Sequence, residues 1–272
     1  MISRRTFMAA TVCTLGCSHA SARSDHRTFL CATPDVPNNR IRRSARPEFP
    51  YFAPARAVPD PKLLWKASDG VTPDTGLITL NVHFVNGTGA EQDAVASLAA
   101  EWTKGRLGRR IAFRFGRPAR HSQVRVGFNG GGGNVSSIGR DSLAKDPRDR
   151  TVNFDKLLAL GDRETRRAVL HEFGHVLGLH HEHQHPRGGI VWNKDIVRAD
   201  MHRLRWSDAK IQENIFDHLS RDCTCIGDRE PDPHSIMLYP VPAAWVRSGI
   251  GSAYNTDISA RDKACLVREY RA

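Results

Sequence analysis

His171-Glu172-Phe173-Gly174-His175-Val176-Leu177-Gly178-Leu179-His180-His181 is the stretch on which the reading of this chain turns. On a helix advancing about 100° per residue, His171 and His175 stand one turn apart on one face, so two imidazoles reach a single metal ion. Glu172 lies beside that face. A carboxylate there is too far round to be the third ligand but is placed to touch a metal-bound water, the position of a general base. Were the helix to continue, His181 would lie about 9 Å further along the axis than His175 and on the far side. Gly178 resolves this, because glycine takes the left-handed conformation that ends helices and lets the chain return His181 to the ion. Three neutral imidazoles with one open position describe a catalytic zinc site, not a closed structural one.

The rest of the helix agrees. Val169, Leu170, Phe173, Val176 and Leu177 form one apolar stripe centred roughly opposite the two histidines. Upstream, Asp162 serves as an N-cap with Glu164 in the first turn, so the helix is predicted to begin near Arg163.

H-E-x-x-H-x-x-G-x-x-H resembles the zinc signature of the metzincin peptidases, and Glu182, directly after the third histidine, is similar to the astacin branch. Ser235-Ile236-Met237-Leu238-Tyr239 resembles the astacin form of the methionine turn, S-x-M-x-Y. Weaker similarity runs from about Trp65 to Tyr270, and Asn214-Ile215-Phe216 also looks like bacterial relatives. The resemblance implies one catalytic zinc, Met237 as an apolar floor beneath the imidazoles, and Tyr239 as an additional, movable zinc ligand whose phenol stabilises the oxyanion. It implies a peptide or protein substrate and an α+β zincin fold. In that fold a mixed twisted sheet and the active-site helix lie above, with an irregular C-terminal half carrying the methionine turn and a closing helix below.

The 272 residues are 40% hydrophobic, enough for one sizeable core. Residues 1–22 read as an export signal: Arg4 and Arg5, the apolar stretch Met8 to Leu15, then Ala20-Ser21-Ala22. Ser3 to Met8 resembles the bacterial twin-arginine signal, which places the mature protein in the periplasm or outside the cell. No other apolar run approaches a membrane span. Residues 23–62 hold seven of the 15 prolines and many arginines, and are expected to lie extended as a pro-segment or N-terminal extension. Cys31-Ala32-Thr33-Pro34-Asp35-Val36 resembles the cysteine switch of the matrixin branch, where a thiolate blocks the open zinc position. It departs from that pattern in lacking the preceding basic residue and in having Ala32 for glycine. Astacins use an aspartate in their pro-segment instead, which also nominates Asp35. Four cysteines remain after signal removal, Cys31, Cys223, Cys225 and Cys265, and an even count in an oxidising compartment favours two bridges. The resemblance would pair Cys265 with Cys31, and the connectivity stays open.

The catalytic domain is expected over 63–272. Strands are predicted at Gly76 to Phe84, Arg110 to Phe115, Gln123 to Phe128 and Thr151 to Phe154, with a helix from Glu91 to Lys104. Asn134 to Gly139 resembles the edge strand along which metzincins align substrate. Gly130 to Gly133 lacks the Lys-Ser/Thr ending of a phosphate loop. Helices follow at Lys194 to Leu204, Ser207 to Phe216 and Asp257 to Tyr270, the last with a Ser259/Asp262 capping box. His183 and His185 are read as surface or supporting histidines, since three ligands complete the site. The net charge of +11 favours acidic substrates or anionic surfaces, but much of it lies in residues 1–62, where arginines far outnumber acids, so the domain after them is less basic than the total. No motif supports nucleic-acid binding. The expectation is a monomeric exported zinc endopeptidase. The alternatives are a matrixin-branch enzyme with cysteine-switch latency and a catalytically silent peptidase-like binding module.

Overall fold

Ile78, Leu80 and Val82 alternate on β2 (Leu77–Phe84), and all three are buried against helices on one side of a sheet. That strand organises the upper half of the computed structural model, which describes residues 62–72, 76–186, 188–219 and 231–270. The sheet has six strands. Its order is β1 (Val71–Thr72), β2, β4 (Val124–Phe128), β6 (Val152–Phe154) and β5 (Val135–Ser136), with β3 (Ile111–Phe115) also on β2. β2 pairs in parallel with β3 and β4, and β4 with β6, whereas β1 and β5 run antiparallel to their neighbours. A parallel pair needs a crossover. Helix α1 (Gly89–Ala99), started by a Thr88/Glu91 capping box, supplies it between β2 and β3.

The predicted helix to Lys104 is shorter than expected. After Ala99 the chain tightens into successive i→i−3 turns through Lys104. This turns Trp102 inward, where it is fully buried and its Nε1 donates to Leu170 O at 2.9 Å. Leu170 belongs to α2 (Asp162–Val176), the helix of the histidine motif. It starts at Asp162 with Gly161 as its cap, so Asp162 is its first residue and not its N-cap. Phe173 meets Phe113 edge-on at 5.2 Å and Phe115 at 6.4 Å, fixing the helix on the sheet. From Arg167 to Val176 every α2 residue is buried, because the opposite face is covered by the C-terminal half.

Both ends of the described chain close on the C-terminus of α2. Trp65 Nε1 donates to Val176 O at 2.7 Å and Tyr270 Oη to Leu177 O at 2.9 Å. Leu63, Leu64 and Trp65 are buried. The lower half has its own apolar cluster, Trp192, Val197, Met201, Ile211, Ile215, Phe216, Val241 and Trp245. It is built from α3 (Lys194–Arg203), α4 (Asp208–Ile211) and a π-helical turn, Gln212–Phe216, so the second predicted helix is split. The closing helix α5 (Ala260–Glu269) carries the Ser259/Asp262 box and begins three residues later than predicted. Cys265 on α5 is buried and disulfide-bonded; Cys31, Cys223 and Cys225 lie outside the described residues, as do Asp35 and the whole of 1–61. In the glycine loop, the amides of Gly131 and Gly133 donate to Asp155, so that ring of N–H groups holds an internal carboxylate. No helix among the described residues is long and apolar enough to cross a membrane.

Candidate metal centre

The end of α2 is what brings the third histidine back. Gly178 has φ +95°, its amide donates to His175 O at 2.8 Å, and the Leu179 amide donates to Gly174 O at 3.0 Å. These are the paired bonds of a Schellman ending with glycine in the left-handed position. The chain reverses, and His181 returns beside His175 with 3.1 Å between their Nε2 atoms. Ring centroids of His171, His175 and His181 lie 4.7–5.3 Å apart. One ligating atom from each falls within 4.8 Å of the others.

Two of the three rings are oriented from behind. His171 Nδ1 donates to Ile236 O at 2.8 Å, and His175 Nδ1 to Leu179 O at 2.7 Å. Each bond fixes the tautomer and aims the Nε2 lone pair into the shared space. His171 Nε2 and His181 Nδ1 are buried polar atoms with no protein hydrogen bond. Burial, and after it the neighbouring histidines and Arg167, holds His171 well below the usual imidazole range. Burial likewise takes His175 down to about 3, and burial with the other histidines depresses His181. Three neutral, convergent imidazoles with an orphaned nitrogen are what a zinc ion requires, so the residues present fit one zinc. Glu172, adjacent to His171, is buried.

The segment Pro231 to Tyr239 packs beneath this cluster. Met237 is fully buried, and a Cβ added at Gly174 would lie 2.3 Å from its sulfur, so the methionine rests directly on the backbone of α2. Glu182 ties this segment to His181: its amide donates to Met237 O at 3.1 Å, and its Oε1 accepts the Asp232 amide at 2.6 Å. Asp262 holds the same turn from below. Its carboxylate accepts from Ser235 Oγ at 2.7 Å and Ile236 N at 3.0 Å, while also accepting the Ser259 amide as part of the α5 capping box. Ile236 is the residue whose carbonyl orients His171. The Tyr239 ring lies 4.4 Å from the His181 ring and 4.3 Å from the His183 ring, almost wholly buried between them.

All the described site residues expected from sequence, His171, Glu172, His175, Gly178, His181, Glu182, Met237 and Tyr239, gather in this one place. His183 and His185 are both buried, so the surface reading fails, and His183 stacks on the His181 ring at 5.4 Å as a supporting residue. His183 Nε2 donates to Asn214 O at 2.9 Å, anchoring the Asn214-Ile215-Phe216 segment behind Tyr239. Sequence reasoning missed Gly174, Asp262 as a brace of the turn, and Arg167. A glycine inside a strong helix and an arginine on its apolar stretch were the available signals. Beside the centre, between 182–190 and 238–252, lies a cavity of about 430 Å³ walled by Ile190, Leu238, Val241, Val246 and Ile250.

No family model and no curated protein matches the sequence. Solved structures do. One structure of myroilysin is 29% identical with a TM-score of 0.68, covering 79% of this chain and 98% of its own; another is 28% identical with a TM-score of 0.55, covering 90% and 100%. The hatching enzyme zinc-protease HCE-1 of the medaka fish Oryzias latipes shares the fold at 16% identity and a TM-score of 0.51, over 76% of this chain and 94% of its own. Fold, histidine cluster and these likenesses agree, and the chain is an astacin-like metzincin.

Proposed function

We propose that the chain is an exported zinc endopeptidase of the astacin type. The observation that carries this reading is the convergence of His171, His175 and His181 at a depth where all three are neutral, with Glu172 buried beside them. Zinc held there supplies a Lewis acid for the scissile carbonyl and lowers the pKa of a water to around 7. Glu172 takes the proton from the attacking water and delivers it to the leaving amine. Tyr239 donates its phenolic hydrogen bond to the negative charge that grows on the carbonyl oxygen. Met237 and the apolar residues around it keep bulk water from beneath the ligands. β5 is the last strand in the sheet order, which supports an extended peptide aligning along its outer edge.

The arginine pair Arg4-Arg5 and the apolar run behind it support export by the twin-arginine route. The proline- and arginine-rich span 23–62 supports a pro-segment, with Cys31 or Asp35 as the group that blocks the centre before maturation. The test is Glu172→Gln in the mature protein. The variant is expected to keep one zinc per chain and to lose about 10²–10⁴-fold in peptide turnover, the range of general acid–base catalysis. Turnover at the wild-type rate would overturn the role of Glu172.

A further inference from the structure

Arg167 sits one helical turn before His171 on α2, so both project from the same face of the helix. Its residue is 2% exposed. The guanidinium donates from Nη2 to Leu238 O at 2.9 Å and from Nη1 to Asn255 O, and its Cζ lies 5.0 Å from the Tyr254 ring centroid. Among the described residues it forms no ion pair within 4 Å. A buried cation whose direct partners are neutral carbonyls, with the Glu164 and Glu172 carboxylates acting on it only at longer range, is a costly choice for a helix face whose neighbours Ala168, Val169 and Leu170 are apolar. Packing alone would be served better by an apolar side chain. What arginine supplies is a planar fork that bridges two separate carbonyls at fixed geometry, which lysine and methionine cannot do.

The carbonyl it grips belongs to the peptide unit directly before Tyr239. Because that unit is planar, fixing the Leu238 oxygen fixes the Tyr239 nitrogen and restricts where its Cα–Cβ bond points. The following unit is held too: Ser252 Oγ donates to Tyr239 O at 2.6 Å and accepts the Val241 amide at 2.7 Å. Asn255, whose own carbonyl Arg167 takes, donates from Nδ2 to Pro233 O at 2.8 Å and Ser235 O at 2.9 Å. Arg167 is the member of this set that comes from the ligand helix. It locks the 252–255 segment and the methionine turn to α2.

We propose that Arg167 is a positioning residue that aims Tyr239 at the reaction centre by gripping the Leu238 carbonyl. This rests on the reading that Tyr239 assists turnover. The experiment is a double-mutant cycle on zinc-loaded mature enzyme with Arg167→Met, Tyr239→Phe and both together, reading kcat, KM, zinc content and unfolding midpoint. Arg167→Met is expected to keep one zinc per chain and to lower kcat about tenfold or more, with KM within about twofold, since misplacement of roughly 1 Å is worth up to about a hundredfold. In the Tyr239→Phe background the same change should cost less than about twofold, because residues that act as one unit do not add. Arg167→Lys, which keeps the charge but not the bridge, should lose kcat to a similar extent and stands in if Arg167→Met does not fold. An equal factor in both backgrounds, loss traced to lost zinc, or wild-type kcat in either Arg167 variant would overturn the proposal. Wild-type kcat in Tyr239→Phe would instead remove the reading of Tyr239 on which it rests, and the proposal with it.

Discussion

Gly174→Ala tests whether the methionine turn bears directly on the ligand helix. At an exposed helix position the change stabilises, because alanine is better than glycine by about 1 kcal/mol. Here the added Cβ would fall 2.3 Å from Met237 Sδ and 3.1 Å from Trp102 Cζ2, both on fully buried residues. Ordinary contact is roughly 3.5–4.0 Å, so the sulfur must withdraw by more than about 1 Å in an interior with little free volume. Overpacking of this kind costs about 1–3 kcal/mol. Net of the propensity gain, the zinc-loaded variant should be less stable by about 1 kcal/mol, which for a domain of this size lowers the thermal midpoint by about 2–4 °C. Truncating the neighbour should restore the helix gain: in a Met237→Ala background, Gly174→Ala should be neutral or stabilising. Denaturant unfolding of the four zinc-loaded proteins measures the cycle. A Gly174→Ala protein more stable by about 1 kcal/mol in the wild-type background would show that Met237 does not press on α2, and would refute the packing described beneath the ligands.

Two further perturbations probe how the ligands are held. Gly178→Ala places a side chain at φ +95° and a Cβ 3.1 Å from Leu64 Cδ2. It should cost about 1–2 kcal/mol in backbone strain and weaken zinc binding about tenfold by loosening the return of His181, measured by chelator competition; unchanged affinity would mean that the reversal does not need glycine. Asp262→Asn addresses pH. Burial raises the Asp262 carboxyl from 3.8 to about 6, and the Ser235, Ile236 and Ser259 donors offset this only in part. The folded state therefore binds this proton more tightly than the unfolded chain. The group's contribution is fully present below about pH 4 and is lost as pH rises through 6, an effect on the order of 3 kcal/mol. Asparagine keeps an acceptor for the two amides and removes the titration, so the variant's stability should fall less than wild type between pH 4 and 7. Parallel curves would show that Asp262 does not titrate in this window.

The convergence of His171, His175 and His181 was legible because these residues are close in sequence and their spacing is set by helix geometry. His171, His175 and Gly178 each have a position that only one backbone path satisfies, and the path found is that one. Strands β2, β3, β4 and β6 and the Ser259/Asp262 box were legible for the same reason, being local patterns of burial and capping, whereas β1, two residues long, is too short to carry such a pattern and went unread. What sequence did not reveal depends on contacts across long separations. Gly174 is small because Met237, 63 positions later, lies against it. Asp262 fills an ordinary capping position and also braces Ser235 and Ile236, which no local rule distinguishes. Trp102 ended α1 early because its indole found Leu170 O, a tertiary bond that overrode helical propensity. His183 and His185 looked polar enough for the surface, but the lower half of the molecule closes over them and gives His183 an acceptor in Asn214.

The most direct test of the central claim is a zinc titration of stripped, mature protein with peptide cleavage as the readout. If His171, His175 and His181 form one site on which the reaction depends, activity should rise in proportion to added zinc and reach its plateau at one equivalent per chain. Activity that is present before zinc is added, or that needs a second equivalent, would contradict it.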